Sequence, residues 1–178
     1  MSKQNISGVF LLNKPYGLSS NTALQKVRHI FNAVKAGHTG TLDPLATGLL
    51  PICFGEATKF SSFLFDADKE YIATIKLGVT TSTYDAEGEI ISKNKVTNSK
   101  EEILSVTQSF LGNIIQYPPI YSALKVNGRA LYEYARNGEA VTIKSRNVTI
   151  YELEQIKFIS SDEFTIRVLS SKGTYIRS

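Results

Sequence analysis

Gly37-His38-Thr39-Gly40-Thr41-Leu42-Asp43-Pro44-Leu45-Ala46-Thr47-Gly48-Leu49-Leu50-Pro51 is the stretch on which the reading of this chain turns. It sets three glycines, two prolines and three threonines around a single carboxylate, between two apolar segments. Glycine admits backbone angles closed to other residues, while Pro44 and Pro51 fix φ and remove donors. Pro44 also biases Asp43 towards an extended conformation, away from helix. The residues predict a loop of defined shape that presents one acid, Asp43. Spacing alone leaves two roles open for it. One is a structural turn in which the side chain bonds nearby backbone N–H groups, the commoner fate of Asp in such a loop. The other is a reactive carboxylate.

On the N-terminal side, Gly8-Val9-Phe10-Leu11-Leu12 reads as a buried strand, stopped by Asn13-Lys14-Pro15-Tyr16-Gly17. Ser19 or Ser20 can cap a helix with Leu24, Val27, Ile30, Phe31 and Val34 at helical spacing and Lys26, Arg28 and His29 on its solvated face. On the C-terminal side, Leu49 to Phe54 reads as an interior strand and Glu56 to Phe65 as a short helix. Tyr71, Ala73, Ile75, Leu77 and Val79 alternate with Thr74 and Lys76, the pattern of a half-buried strand. Asp85 reads as a turn acid. Ser99-Lys100-Glu101-Glu102 is a capping box opening a helix that should bury Ile103, Val106, Phe110 and Leu111 and end at Gly112. Between Tyr117 and Gly138, aromatics interleave with Lys125, Arg129 and Arg136, which suits base stacking and phosphate contact; a surface helix after a Pro-rich turn is the plainer alternative. Val148 to Ile159 and Glu163 to Leu169 predict a hairpin turning at Ser160-Ser161-Asp162. The apolar phase shifts between Ile150 and Ile156, so a bulge is expected there.

The chain of 178 residues is long enough for one domain with a real core. Its net charge of +4 is compatible with a polyanionic partner. No apolar run has the length of a membrane span or the form of a signal peptide. A single cysteine, Cys53, excludes an internal disulfide, and with only His29 and His38 beside it a thiolate or imidazole metal site lacks ligands. The expectation is a cytoplasmic protein with no structural metal. No linker, repeat or low-complexity tract interrupts the sequence.

GHTGTLDPLATGLLP resembles the catalytic loop of the TruB family of tRNA pseudouridine synthases, with the family's essential aspartate falling on Asp43. Asn13-Lys14-Pro15-Tyr16-Gly17-Leu18-Ser19-Ser20 is similar to the family's first motif, which implies a structural or phosphate-binding role for Lys14. The resemblance puts an active-site tyrosine at Tyr71, and Gly173-Thr174-Tyr175-Ile176-Arg177-Ser178 resembles the segment that carries an active-site arginine, here Arg177. The run from Tyr117 to Gly138 is similar to a segment that contacts RNA, making Lys125, Tyr132 and Arg136 candidate RNA-binding residues. The likeness runs in register from about Gly8 to Ser178.

What it implies is an α/β fold of the α+β type, a mixed and mostly antiparallel sheet flanked by helices. Residues 1–178 would form a single catalytic domain, incomplete at its C-terminus and without the small RNA-binding domain of many members. The implied activity is isomerisation of uridine 55 in the T-arm stem-loop of tRNA, by a monomer, with no cofactor and no metal. The C1′–N1 bond is broken, the uracil turned, and the bond remade at C5. One carboxylate can serve by adding to C6, attacking C1′ or removing the C2′ proton. An ionised acid in a partly dry site calls for a cation, and Arg177 is the natural partner for Asp43. As the penultimate residue, Arg177 is also expected to fray. Tyr71 can stack on the uracil and act in proton transfer from C5. The target base must leave its stack, and His38 is the candidate to fill the hole. A glycoside-cleaving enzyme normally wants a second positioned acid, for which no convincing partner of Asp43 exists. A non-catalytic RNA-binding module is the remaining alternative, and an intact Asp43, Tyr71 and Arg177 argue against it.

Overall fold

Strand β3 (Gly48–Phe54) lies at the centre of a three-stranded antiparallel sheet, between β1 (Gly8–Lys14) and β2 (Ala36–His38). The computed structural model to which this sheet belongs describes residues 2–178, the side chain of Ile156 excepted. It divides into two units, Met1–Ala67 and Asp68–Ser178.

In the first unit, helix α1 (Ser20–Ile30) opens at Ser19, whose hydroxyl accepts from the Thr22 N–H at 3.1 Å, the cap expected from its sequence. Leu24 and Val27 on this helix join Ala33, Ile52 and Phe54 in a buried cluster. Phe31 sits tilted between Phe10 and Phe54, with ring centroids 5.4 and 5.2 Å away. Ile30, by contrast, is exposed, because the helix ends before the apolar stripe is complete. β3 is interior, as expected. β1 is not: it is an edge strand, with Phe10, Leu12 and Lys14 turned to the core and Val9 and Leu11 turned out. The predicted helix after β3 forms as a 3₁₀ turn, Gly55–Phe60, running into the short helix α2 (Ser61–Phe65).

The second unit is built on a four-stranded antiparallel sheet. Its order is β4 (Lys69–Lys76), β11 (Glu163–Ser170), β10 (Arg146–Phe158), β7 (Gly112–Gln116). Between β4 and β7 come the small hairpin of β5 (Val79–Thr81) and β6 (Ile90–Lys93), then helix α3 (Lys100–Gln108). A second small hairpin, β8 (Lys125–Val126) with β9 (Arg129–Ala130), leads into helix α4 (Leu131–Arg136). β4 alternates strictly, with Tyr71, Ala73 and Ile75 on its more buried face. The expected irregularity in β10 occurs as two register shifts, between Ile150 and Glu152 and between Gln155 and Lys157. The capping box at Ser99 and Glu102 is complete. Of the apolar face predicted for α3, however, only Ile103 enters the core with Ile150, Phe164, Ile166 and Val168; Val106, Phe110 and Leu111 are exposed. All pairings between these named strands are antiparallel, and the fold is of the α/β class with helices flanking antiparallel sheets, as expected. Among the described residues no helix is long and apolar enough to cross a membrane.

Candidate functional site

Asp43 heads a four-residue turn, Asp43-Pro44-Leu45-Ala46, in which its carbonyl accepts from the Ala46 N–H at 3.0 Å. Pro44 holds the second position, where its fixed φ suits the turn. The turn is bolted down on both sides. The buried Ser20 hydroxyl accepts from Leu42 N–H at 2.8 Å and donates to Leu42 C=O at 3.0 Å, so one side chain satisfies both backbone groups of the residue before Asp43. The Pro44 carbonyl accepts from Gly17 N–H at 2.8 Å and from Lys14 Nζ at 3.4 Å. Gly17 has φ +80°, a conformation that a residue with a Cβ reaches only under strain. The motif Asn13 to Ser20 and the central loop are thus one hydrogen-bonded assembly, though the bonded residues lie 22 to 30 apart in sequence.

Lys14 closes that assembly from beneath. It has no exposed surface, and its ammonium donates to the carbonyls of Leu18 at 2.6 Å, Pro15 at 3.1 Å and Pro44. Burial pushes the Lys14 ammonium below the usual lysine range, and the charge of Asp43 draws it partly back. The two charges therefore attract one another. A lysine buried on three carbonyls cannot reach a substrate, which favours the structural of the two roles expected for it. His38 ends β2, opposite Ile52, and its Nδ1 is buried with no hydrogen-bond partner among the described residues.

In the second unit, Tyr71 faces the core side of β4, in register with Val168. Arg177 is held rather than frayed. Its guanidinium donates to Tyr121 C=O at 2.7 Å and Thr83 C=O at 3.2 Å, and pairs with the Asp85 carboxylate at 3.3 Å. The Gln116 side chain clamps the same segment, accepting from Tyr175 N–H at 2.9 Å and donating to the carbonyls of Tyr175 and Ser178. A chain end tied by this many bonds does not behave as a loose terminus, which is why the expectation from position alone fails. Asp85 is the turn acid expected, accepting from Glu87 N–H at 3.0 Å and the Thr83 hydroxyl at 2.6 Å, but its second oxygen has the further duty on Arg177.

The candidate RNA-binding residues separate into two places. Tyr132 and Arg136 lie four apart on α4, the guanidinium 5.1 Å from the ring centroid, while Lys125 is exposed in the preceding hairpin. Arg129 is committed internally: it is held bidentately by Glu139 at 2.9 and 3.0 Å and lies over the Tyr134 ring at 4.2 Å. Sequence reading missed the bond of Asp85 to Arg177, the clamp made by Gln116 and the hold of Ser20 on Leu42. Ser20 stood in a quoted motif, but only as a possible helix cap.

Comparison with known proteins gives a family model described as "TruB family pseudouridylate synthase (N terminal domain)", matching residues 28–176. A protein named tRNA pseudouridine synthase B from Francisella philomiragia is 58% identical over 99% of this chain. Its namesake from Francisella tularensis subsp. tularensis is 56% identical over the same share. The chain spans 59% of the length of each of these curated relatives. Among solved structures, a chain of a Cbf5-Nop10-Gar1 complex superposes with a TM-score of 0.72 at 31% identity, over 98% of this chain and 42% of its own. A chain of an H/ACA RNP bound to a substrate RNA containing 2′-deoxyuridine gives 0.67 at 29%, over 96% and 40%.

Proposed function

Because this chain belongs to the TruB family of pseudouridylate synthases, we propose that it isomerises uridine 55 in the T-arm of tRNA to pseudouridine, with Asp43 as the catalytic carboxylate. The observation that carries this reading is the way Asp43 is presented. Its turn is fixed through Leu42 and Pro44 by Ser20, Gly17 and Lys14, and a fully buried ammonium attracts its charge. A turn acid with no task beyond its own loop needs neither a rigid frame of this extent nor a buried cation, which is costly to desolvate.

In this reading the C1′–N1 bond is exchanged for a C1′–C5 bond and the proton leaving C5 is balanced by one gained at N1. No electron is gained or lost, so no redox partner is required. Asp43, whose charge is attracted by the buried Lys14 ammonium, supplies the reactive oxygen. The Tyr71 ring packs on the uracil, and its phenol serves the C5 proton transfer. Arg177, aimed by Asp85 and two carbonyls, supplies a positive charge in a fixed orientation. His38 occupies the gap left by the flipped base. Lys125, Tyr132 and Arg136 bind the tRNA arm. A cytoplasmic monomer acting on tRNA fits these assignments.

The test is Asp43→Asn in the full-length protein, with pseudouridine mapped on a tRNA transcript and affinity measured separately. Isomerisation should be lost while the dissociation constant for tRNA stays within a few fold, since the phosphate contacts remain. Retained turnover would overturn the assignment of Asp43. A product confined to the anticodon arm or to ribosomal RNA would overturn the T-arm.

A further inference from the structure

The run from Tyr117 to Arg146 carries five cations, Lys125, Arg129, Arg136, Lys144 and Arg146, and two carboxylates, Glu133 and Glu139. Both carboxylates are engaged by one of the five: Arg129 lies 2.9 Å from Glu139 and 3.8 Å from Glu133. Arg136 lies over Tyr132. The other three cations share one pocket. Lys125, Lys144 and Arg146 line one pocket of about 270 Å³, together with Thr142 and Ser145, and no carboxylate contributes to its wall.

Two other basic residues of this unit are already committed to carboxylates. Lys76 is paired with Asp162 and Glu163, and Arg167 is paired with Glu70, Glu152 and Glu154. No ion pair of Lys125, Lys144 or Arg146 is found among the described residues. Lys125 and Lys144 are exposed, so each keeps three donors available. Arg146 is pre-positioned: one Nη donates to Gly173 C=O at 3.2 Å and the guanidinium lies 5.5 Å from the Tyr175 ring, leaving further N–H groups for a ligand. Three cations brought together without a counter-charge repel one another, and an anion removes that penalty.

We propose that Lys125, Lys144 and Arg146 form a subsite for one backbone phosphodiester of the bound RNA, with the hydroxyls of Thr142 and Ser145 as additional donors. This rests on the reading of the protein as an RNA-modifying enzyme and deepens it by two residues, Lys144 and Arg146, that the motifs do not include. The pocket is just below the size that encloses a small molecule, which suits a single phosphate better than a nucleoside. Arg146 also ties the subsite to the segment bearing Arg177, through Gly173 and Tyr175.

The experiment is equilibrium binding of a tRNA transcript to the full-length protein over a series of salt concentrations. The variants are Lys144→Ala, Lys144→Glu and Lys144→Arg, with Lys157→Ala as a comparator outside the pocket. Lys144 and Lys157 are both exposed, so their removal leaves the fold intact. Lys144→Ala should weaken binding about three- to tenfold at ~0.1 M salt and flatten the log–log salt slope by about 0.7–0.9, the signature of one lost phosphate contact. Lys144→Glu should do more, Lys144→Arg should restore most of the affinity, and Lys157→Ala should change little. Equal effects of Lys144→Ala and Lys157→Ala, or an unchanged slope, overturn the subsite while leaving RNA binding standing. Absence of saturable tRNA binding by the unsubstituted protein overturns the RNA reading itself, and the subsite with it.

Discussion

A lysine with no exposed surface is rare unless its charge is used. Lys14 spends its three donors on the carbonyls of Pro15, Leu18 and Pro44, and its charge acts on Asp43. Lys14→Met keeps most of the volume but leaves the Leu18 and Pro15 carbonyls without this donor, which should destabilise the protein by about 1–3 kcal/mol. The pH dependence gives a second handle. Burial lowers the folded pKa of Lys14 below its unfolded value of 10.5, so between the two the unfolded chain binds the additional proton. Stability from this group therefore rises with pH through that window. In denaturant titrations, the stability gap between the parent and Lys14→Met should widen as pH approaches 10.5; a constant or shrinking gap would contradict it. The Lys14-Pro15 motif was legible in the sequence, but its depth was not, because nothing local distinguishes a buried lysine from one on a loop surface. Asp85 and Arg177 show the same limit. Each stood out, one as a turn acid and one by resemblance, yet their pairing spans 92 residues and only the fold brings them together.

Among the elements, α1 does more than cover a sheet. Its first residue, Ser20, fixes Leu42, so the helix start and the reactive loop are mechanically one piece. Ser20→Ala strands two backbone groups at about 1–3 kcal/mol each and releases the residue before Asp43. It should lower both thermal stability and turnover. Ser99→Ala is the comparator: it removes one bond of the α3 capping box, costs about 1 kcal/mol, and should leave turnover intact at a permissive temperature. Equal turnover in the two variants would deny Ser20 its part in shaping the loop. The α3 box was read correctly because a cap is a local pattern of four residues. The far end of α3 was misread because burial depends on what packs there: Val106 is 61% exposed despite its helical phase. β1 was misread for a related reason, since an apolar run does not reveal that its strand lies at a sheet edge.

At the scale of the whole molecule, the exposed apolar residues of the first sheet carry the last prediction. On β1 and β3, register pairs Leu11 with Pro51 and Asn13 with Leu49, which puts Val9, Leu11 and Leu49 on the face turned away from α1. All three are more than half exposed, at 51%, 65% and 64%. Scattered apolar residues on a surface are ordinary, but neighbours on one sheet face next to an unpaired β1 edge favour self-association. The 178-residue chain should therefore bind a hydrophobic dye and sediment with a concentration-dependent increase in mass. Leu11→Thr with Leu49→Thr puts a β-branched residue suited to a strand at both positions while removing most of that apolar area, at about 25 cal/mol per Å² of association energy forgone. The double variant should bind less dye and stay monomeric to higher concentration, with its melting temperature little changed because neither side chain belongs to the Leu24–Phe54 cluster. Unchanged dye binding and association would mean that this face is not the adhesive one, while a large fall in melting temperature would mean that the two leucines are already packed against something.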